Sequence, residues 1–403
     1  MSKNHLLLSV ALVLMASLAA CNLYSPSTPP LSAPDSPLPS STPLPSPTWT
    51  PTAEPRPTST ATLAPTPTET PMPTPVPLYT DGVWECWDRG QSVPCPYDAS
   101  LSLKQMAFVS DTEAWAVGAG GYIARWDGYT WTRVASPTDR DLNDVVFLSP
   151  DNGWAVGEGG IILHWDGRAW SVVREEQPLN QYIGAPSWNA IAFSGPDYGW
   201  VVGNVGTEGG STASAMYWDG TTWKSPPAPP IFCDDCFLWD VTVFGPQDVW
   251  IVGGDTGGFV LRWEGSTWHK APNPFDSLHY GKCWLYTISA LSRNDIWVSG
   301  IVWQGVWDGV VKDKGIAIRW DGAEWRDMQL PGTAWLNAIL MLSDDDGWVG
   351  SDELFHWDGR GWEKATIPVV SRIVDIESSP SGEIWALTQE GAFLHLDVAK
   401  ESG

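Results

Sequence analysis

The chain has 403 residues, of which 28 are Trp, 39 Gly and 35 Pro while only 17% are charged; this profile excludes long helices and coiled coils and fits a turn-rich, all-β protein. With 22 Lys and Arg against 47 Asp and Glu, the formal net charge is −25. A phosphate backbone is repelled by such a surface, which excludes nucleic-acid binding as a primary role.

In chain order, Lys3 precedes an uncharged apolar run over 6–20 that is too short for a comfortable membrane span, so residues 1–20 read as a signal peptide. The run ends in Leu18-Ala19-Ala20-Cys21, which resembles the lipobox of bacterial lipoproteins. The resemblance implies cleavage before Cys21, lipid attachment at Cys21 and an extracytoplasmic position on the bacterial cell membrane. Two or three acyl chains suffice for stable anchoring, each buried methylene contributing about 0.8 kcal/mol.

Residues 22–78 hold 18 prolines, 12 Thr and 8 Ser, with only Asp35, Glu54, Arg56 and Glu69 charged. No core can form there. Together with Cys21 the stretch reads as a linker over 21–78, and Thr-Pro units such as Ala64-Pro65-Thr66-Pro67-Thr68 favour extended polyproline II. The expectation is a stalk that holds the C-terminal domain away from the membrane.

From residue 79 onward one pattern recurs. Leu142-Asn143-Asp144-Val145-Val146-Phe147 leads to Trp154-Ala155-Val156-Gly157, then to Ile161-Ile162-Leu163-His164-Trp165-Asp166-Gly167, and last to Trp170-Ser171-Val172-Val173. These are four short strands, a to d, with a tight Asp-Gly hairpin between c and d. The strand-b tryptophans Trp115, Trp154, Trp200, Trp250, Trp297, Trp348 and Trp385 mark seven copies. Strand-a leads are read at Leu103, Leu142, Trp188, Trp239, Leu285, Leu336 and Ile373, twelve residues before that Trp except in the fourth copy, where the gap is eleven. Four-stranded copies at periods of about 40 to 50 predict a seven-bladed β-propeller over 79–403. The seventh copy lacks a strand d, and Asp81-Gly82-Val83-Trp84 is an orphan strand-d signature. Residues 79–97 are therefore expected to close the last blade, since an open ring leaves an exposed sheet edge.

The strings Gly153-Trp154-Ala155-Val156-Gly157 and Trp165-Asp166-Gly167-Arg168-Ala169-Trp170 resemble the BNR-like repeats of the photosystem II assembly factor family. That resemblance implies a propeller that binds protein partners without catalysis. The family's basic patch has no counterpart here, so the photosystem role does not carry over.

Inserted length is concentrated on one face of copies three to five. Strand-b Trp to strand-c Trp spans eleven residues in copies one and two, but 18 in copy three and 23 in copy five. Loops on a rigid ring are where recognition is placed. Trp284, Trp303 and Trp307, with Asp234, Asp235 and Asp308 around them, are the candidate binding residues for an extracellular protein or glycan. A monomer and no cofactor are expected. The alternative is a glycan-degrading hydrolase of sialidase-like propeller type, using carboxylates such as Asp234, Asp235, Asp255 or Asp308.

Five cysteines follow Cys21. In an exported chain a disulfide between Cys86 and Cys95 is expected, and another among Cys233, Cys236 and Cys283. The competing reading of Cys233, Cys236, His279 and Cys283 is a Cys3His zinc site.

Overall fold

The computed structural model describes residues 83–88, 91–92, 101–227, 236–254, 257–272, 282–307, 310–331, 335–368 and 371–397. The signal segment, Cys21 and the Pro-rich stretch lie outside the described residues, as do Cys95, Cys233, Asp234, Asp235, Asp255, His279 and Asp308. No described helix is long and apolar enough to cross a membrane.

Two strands come first, β1 (Val83–Asp88) and β2 (Gln91–Ser92). Blade 1 is β3–β6 (Leu103–Ser110, Glu113–Gly118, Tyr122–Trp126, Trp131–Arg133), and blade 2 is β7–β10 (Leu142–Ser149, Asn152–Gly157, Ile162–Trp165, Trp170–Arg174). Blade 3 is β11–β14 (Ile183–Gly195, Tyr198–Thr207, Gly210–Trp218, Trp223–Lys224), and blade 4 is β15–β18 (Phe237–Gly245, Asp248–Gly254, Gly258–Trp263, Trp268–Ala271). Blade 5 is β19–β22 (Lys282–Ser292, Asp295–Trp307, Val310–Trp320, Trp325–Asp327), and blade 6 is β23–β26 (Leu336–Met341, Gly347–Ser351, Leu354–Trp357, Trp362–Lys364). Blade 7 supplies β27–β29 (Ile373–Ser378, Ile384–Thr388, Phe393–Asp397).

Each sheet is an antiparallel meander, and the first strands of successive blades pack against one another around a closed ring, β27 returning to β3. This is a seven-bladed propeller. The seventh sheet takes its outer strand from the other end of the domain: β1 pairs with β29, Trp84 opposite Leu396 and Cys86 opposite Leu394.

Local chemistry explains the repeat. At the c–d hairpins, Asp127, Asp166, Asp219, Asp321 and Asp358 each accept two backbone N–H bonds, from the residues two and three positions on, at 2.8–3.0 Å. The residue after the carboxylate must then take positive φ, as Gly167 does at 86°. At the other end of strand b, Gly157 is required by close approach, because a Cβ there would collide with the Asp141 carbonyl.

The tryptophans form the wedge between blades. Trp115 of blade 1 packs on Trp165 and Trp170 of blade 2, at 4.8 and 5.6 Å between centroids. Trp154 meets Trp218 and Trp223, and Trp200 meets Trp263 and Trp268, one blade further each time. Trp250 and Trp297 continue the series with Trp320, Trp325, Trp357 and Trp362. At the closure, Trp348 of blade 6 has Trp84 edge-on at 5.2 Å, in the place of a strand-d Trp. Such ring pairs contribute roughly 0.5–1.5 kcal/mol each beyond the area they bury.

One sequence expectation is corrected. The strand-a lead of blade 4 is Leu238, 1% exposed and paired with Gly253, not Trp239. Leu238 lies twelve residues before Trp250, so the fourth copy is regular. Trp239 is displaced one position along the strand, with consequences for the channel mouth.

Candidate binding face at the channel mouth

In all seven blades the ladder between strands a and b skips one residue immediately after the lead. The skipped residues are Lys104, Asn143, Asn189, Trp239, Tyr286, Asn337 and Val374. A β-bulge re-aims a side chain out of the ladder, and on the innermost strand that places seven side chains around the channel mouth.

Across blades 1 to 3 this rim is polar and satisfied. Lys104 Nζ donates to Asn143 Oδ1 at 2.8 Å and pairs with Asp141 at 2.9 Å. Asn143 and Asn189 each donate to the lead carbonyl of the next blade, Trp188 and Leu238, at 2.7 Å. Across blades 4 and 5 the rim is aromatic, while in blade 6 the bulged residue is Asn337, which donates to Ser351 Oγ at 3.2 Å. Phe237 lies stacked on Trp239 with centroids 5.2 Å apart and planes 9° from parallel, and Tyr286 meets Trp239 nearly edge-on at 5.6 Å. Trp284 and Trp335 occupy the position before the lead in blades 5 and 6; Trp284 is half-buried and Trp335 is 43% exposed. Trp335 Nε1 donates to Asp313 Oδ2 at 3.3 Å.

Deeper in the channel, three carboxylates clasp neighbouring blades. Asp144 accepts the N–H of Val145 and of Ile191 in the next blade, both at 2.7 Å. Asp240 accepts from Val241, Ile288 and the Thr287 hydroxyl. Asp375 accepts from Ile376, Met106 and Gln105 Nε2. Enclosure by seven strands pushes all three above the usual carboxylate range, Asp240 to about 6 and Asp375 to about 7, while the backbone N–H donors oppose that rise. Asp144 and Asp240 are partly buried. Glu377 is raised for the same reason, then by repulsion from Asp375 and Asp144.

The inserted length of copies three and five is strand rather than loop. β12–β13 and β20–β21 are extended hairpins paired out to Thr207 opposite Gly210 and Trp307 opposite Val310. Trp303 is a strand residue opposite Lys282 and Asp313. Beside the first hairpin a shallow depression of about 520 Å³ is lined by Pro178, Tyr182, Gly206 and Glu208, with Tyr182 51% exposed.

Of the binding residues expected from the sequence, Trp284 alone has a described side chain, and it stands on the same rim as Phe237, Trp239, Tyr286 and Trp335. Tyr286 and Trp335 flank leads that the sequence places correctly, whereas Phe237 and Trp239 are displaced when the lead of copy four is placed one residue late, at Trp239. Cys86 and Cys236 are 1% exposed and disulfide-bonded, to partner sulfurs outside the described residues, and Cys283 is a buried thiol. A sulfur held in a disulfide offers no thiolate to a metal, so the zinc reading loses Cys236 as a ligand. Arg125, Arg262 and Arg319 do not converge: each bonds an acid of its own blade, Glu113, Asp248 and Asp295.

No family model and no curated protein matches the chain. Among solved structures, it is similar to YCF48 bound to D1 peptide, at 19% identity and TM-score 0.55 over 78% of this chain and 96% of that one. YCF48 from Cyanidioschyzon merolae is 17% identical, TM-score 0.55, with 79% and 99% covered. Streptogramin B lyase is 12% identical, TM-score 0.56, with the same two coverages. These likenesses show the propeller fold.

Proposed function

We propose that this chain is a lipid-anchored, extracytoplasmic propeller that binds a protein partner on the face carrying the channel mouth and the inserted hairpins, and that it performs no chemistry. The observation that carries the reading is the asymmetry of that face. Its rim changes from hydrogen-bonded polar side chains over blades 1 to 3 to packed aromatic rings over blades 4 and 5, with Trp335 beside them in blade 6, and the long hairpins of blades 3 and 5 rise beside it. Large rings with a polar edge and little rotamer freedom are what interface hot spots are made of.

YCF48, a propeller of similar fold, is seen with a peptide bound, which supports a peptide or protein partner over a glycan. The net charge of −25 favours a partner with a basic surface. In this reading Cys21 carries the lipid, residues 22–78 form the stalk, and Cys86 pairs with Cys95 to pin the closing strand. Trp303, Trp307, Asp234, Asp235 and Asp308 extend the binding face at the hairpin side.

The test is crosslinking on intact cells carrying the full-length chain, followed by capture and identification of the attached protein. One protein recovered with the wild type, and lost with Trp303→Ala and Trp307→Ala at unchanged melting temperature, supports the reading. Capture unaffected by every substitution on this face, or turnover of a polysaccharide by the purified chain, contradicts it.

A further inference from the structure

The aromatic half of the rim is paired with an unsatisfied carboxylate. Asp313, on β21 of blade 5, gives one oxygen to Trp335 Nε1, while its other oxygen, Oδ1, is buried and has no hydrogen-bond partner among the described residues. Leaving a buried carboxylate oxygen unpaired is costly, and most such groups are met by protein or water. Tyr286 lies within the electrostatic reach of Asp313. Trp239 meets Tyr286 edge-on at 5.6 Å, and Phe237 stacks on Trp239 at 5.2 Å.

Aromatic faces with one carboxylate at their edge are suited to a cation. Ring quadrupoles attract a Lys or Arg head placed over the face, while the stem of the same side chain packs on the rings. A sugar would also stack and its hydroxyls donate to a carboxylate, but it brings no positive charge to neutralise one, and an acidic group would be repelled.

Resting on the reading above, we propose that Trp239, Tyr286, Trp335 and Asp313 form a socket for one lysine or arginine side chain of the partner protein. The cationic head lies over the exposed Trp335 ring and the Tyr286 ring beside the Asp313 carboxylate, whose charge it neutralises, and the aliphatic stem lies along Trp239 and Tyr286. Tyr286 stays neutral throughout, because burial first, and then the nearby Cys283 and the Asp313 carboxylate, push its hydroxyl up to about 12. The socket accounts for why the lumen-side rim is built differently on two sides of one ring: the polar half ties blades together, and the aromatic half is left with a charge to neutralise.

The experiment uses the full chain labelled with 5-fluorotryptophan, the Trp239 and Trp335 signals being assigned through Trp239→Phe and Trp335→Phe. Capped heptapeptides of Gly and Ser with one central Lys, Arg, norleucine or Glu are titrated in. The Lys and Arg peptides should shift both signals saturably, at least tenfold more tightly than norleucine, with no shift from Glu. Asp313→Asn should erase the preference over norleucine, and added salt should weaken the Lys and Arg peptides alone. Equal binding of norleucine, shifts with chitotetraose but not with Lys or Arg, or no shift with any peptide would each overturn the socket. If Trp239→Ala and Trp335→Ala leave the crosslinked partner in place while Trp303→Ala and Trp307→Ala remove it, the socket fails and the binding face stands.

Discussion

The Asp375 carboxylate in blade 7 accepts the backbone N–H of Met106 in blade 1 at 2.9 Å, across 269 residues of sequence. It is a clasp between the last repeat and the first, and Asp144 and Asp240 repeat it between blades 2 and 3 and between blades 4 and 5. The ring is therefore held by enclosed carboxylates as well as by its tryptophan wedges.

Those carboxylates set a pH dependence. Enclosure raises Asp240 to about 6 and Asp375 to about 7 from an ordinary 3.8, so between those values the folded ring holds protons that the unfolded chain has released. Their contribution is fully present below about 3.8 and is lost as pH rises through about 6 and then about 7. The exposed hairpin carboxylates Asp166 and Asp358 are lowered by backbone N–H bonds and act oppositely, losing their contribution as pH falls below 3.8. Thermal melts should give a higher midpoint at pH 5 than at pH 8. Glu377→Gln, which removes one charge from the lumen, should raise the midpoint at pH 8 more than at pH 5; the opposite ordering would contradict this.

Wedge and rim tryptophans should behave differently. Trp154 is 5% exposed and boxed by Phe193, Trp218 and Trp223. Trp154→Ala should cost about 3–5 kcal/mol, a large part of a domain's margin. Trp335, 43% exposed, carries one hydrogen bond, and Trp335→Ala should stay within about 1 kcal/mol. Chemical denaturation of the two variants checks the contrast.

Closure by β1 should matter to the whole ring. Trp84 is 2% exposed and completes the wedge against Trp348. Deleting residues 81–95 exposes the outer edge of β29 and removes that wedge, so the midpoint should fall by many degrees. A chain starting at Leu101 that melts like the full domain would refute the role given to β1.

Attachment at Cys21 is tested by Cys21→Ser, which should release the chain into the medium or leave an uncleaved precursor, because no thioether can form. Mass spectrometry of mature protein with an unmodified Cys21 would contradict the anchor.

Architecture was legible in the sequence because each blade repeats the same physical demands. The Asp-Gly hairpin needs a capping carboxylate and positive φ, and the wedge needs large rings at fixed spacing. The channel mouth was harder to read. Its residues sit at bulges, where periodicity-two alternation breaks, and Trp239 resembles a lead as closely as Leu238 does. With Leu238 as the lead, the flanking positions of copy four become Phe237 and Trp239, which join Trp284 and Tyr286 of copy five and Trp335 of copy six, already legible beside their own leads. Asp313 carried no such signal, because an oxygen without a partner among the described residues is a property of packing. The extra residues of copies three and five were identifiable as insertions, but their pairing as extended strands depends on register that length alone does not fix.

The most direct measurement of the binding face places a photo-crosslinking amino acid at single positions of the full-length chain in intact cells. Tyr182, Thr207 and Trp335 sample the inserted face; Tyr129 and Arg360 sample the c–d hairpins on the opposite one. One protein partner attached from the first three positions and from neither of the last two is the predicted result. Attachment of the same partner from Tyr129 and Arg360, with none from Tyr182, Thr207 and Trp335, would contradict the assignment.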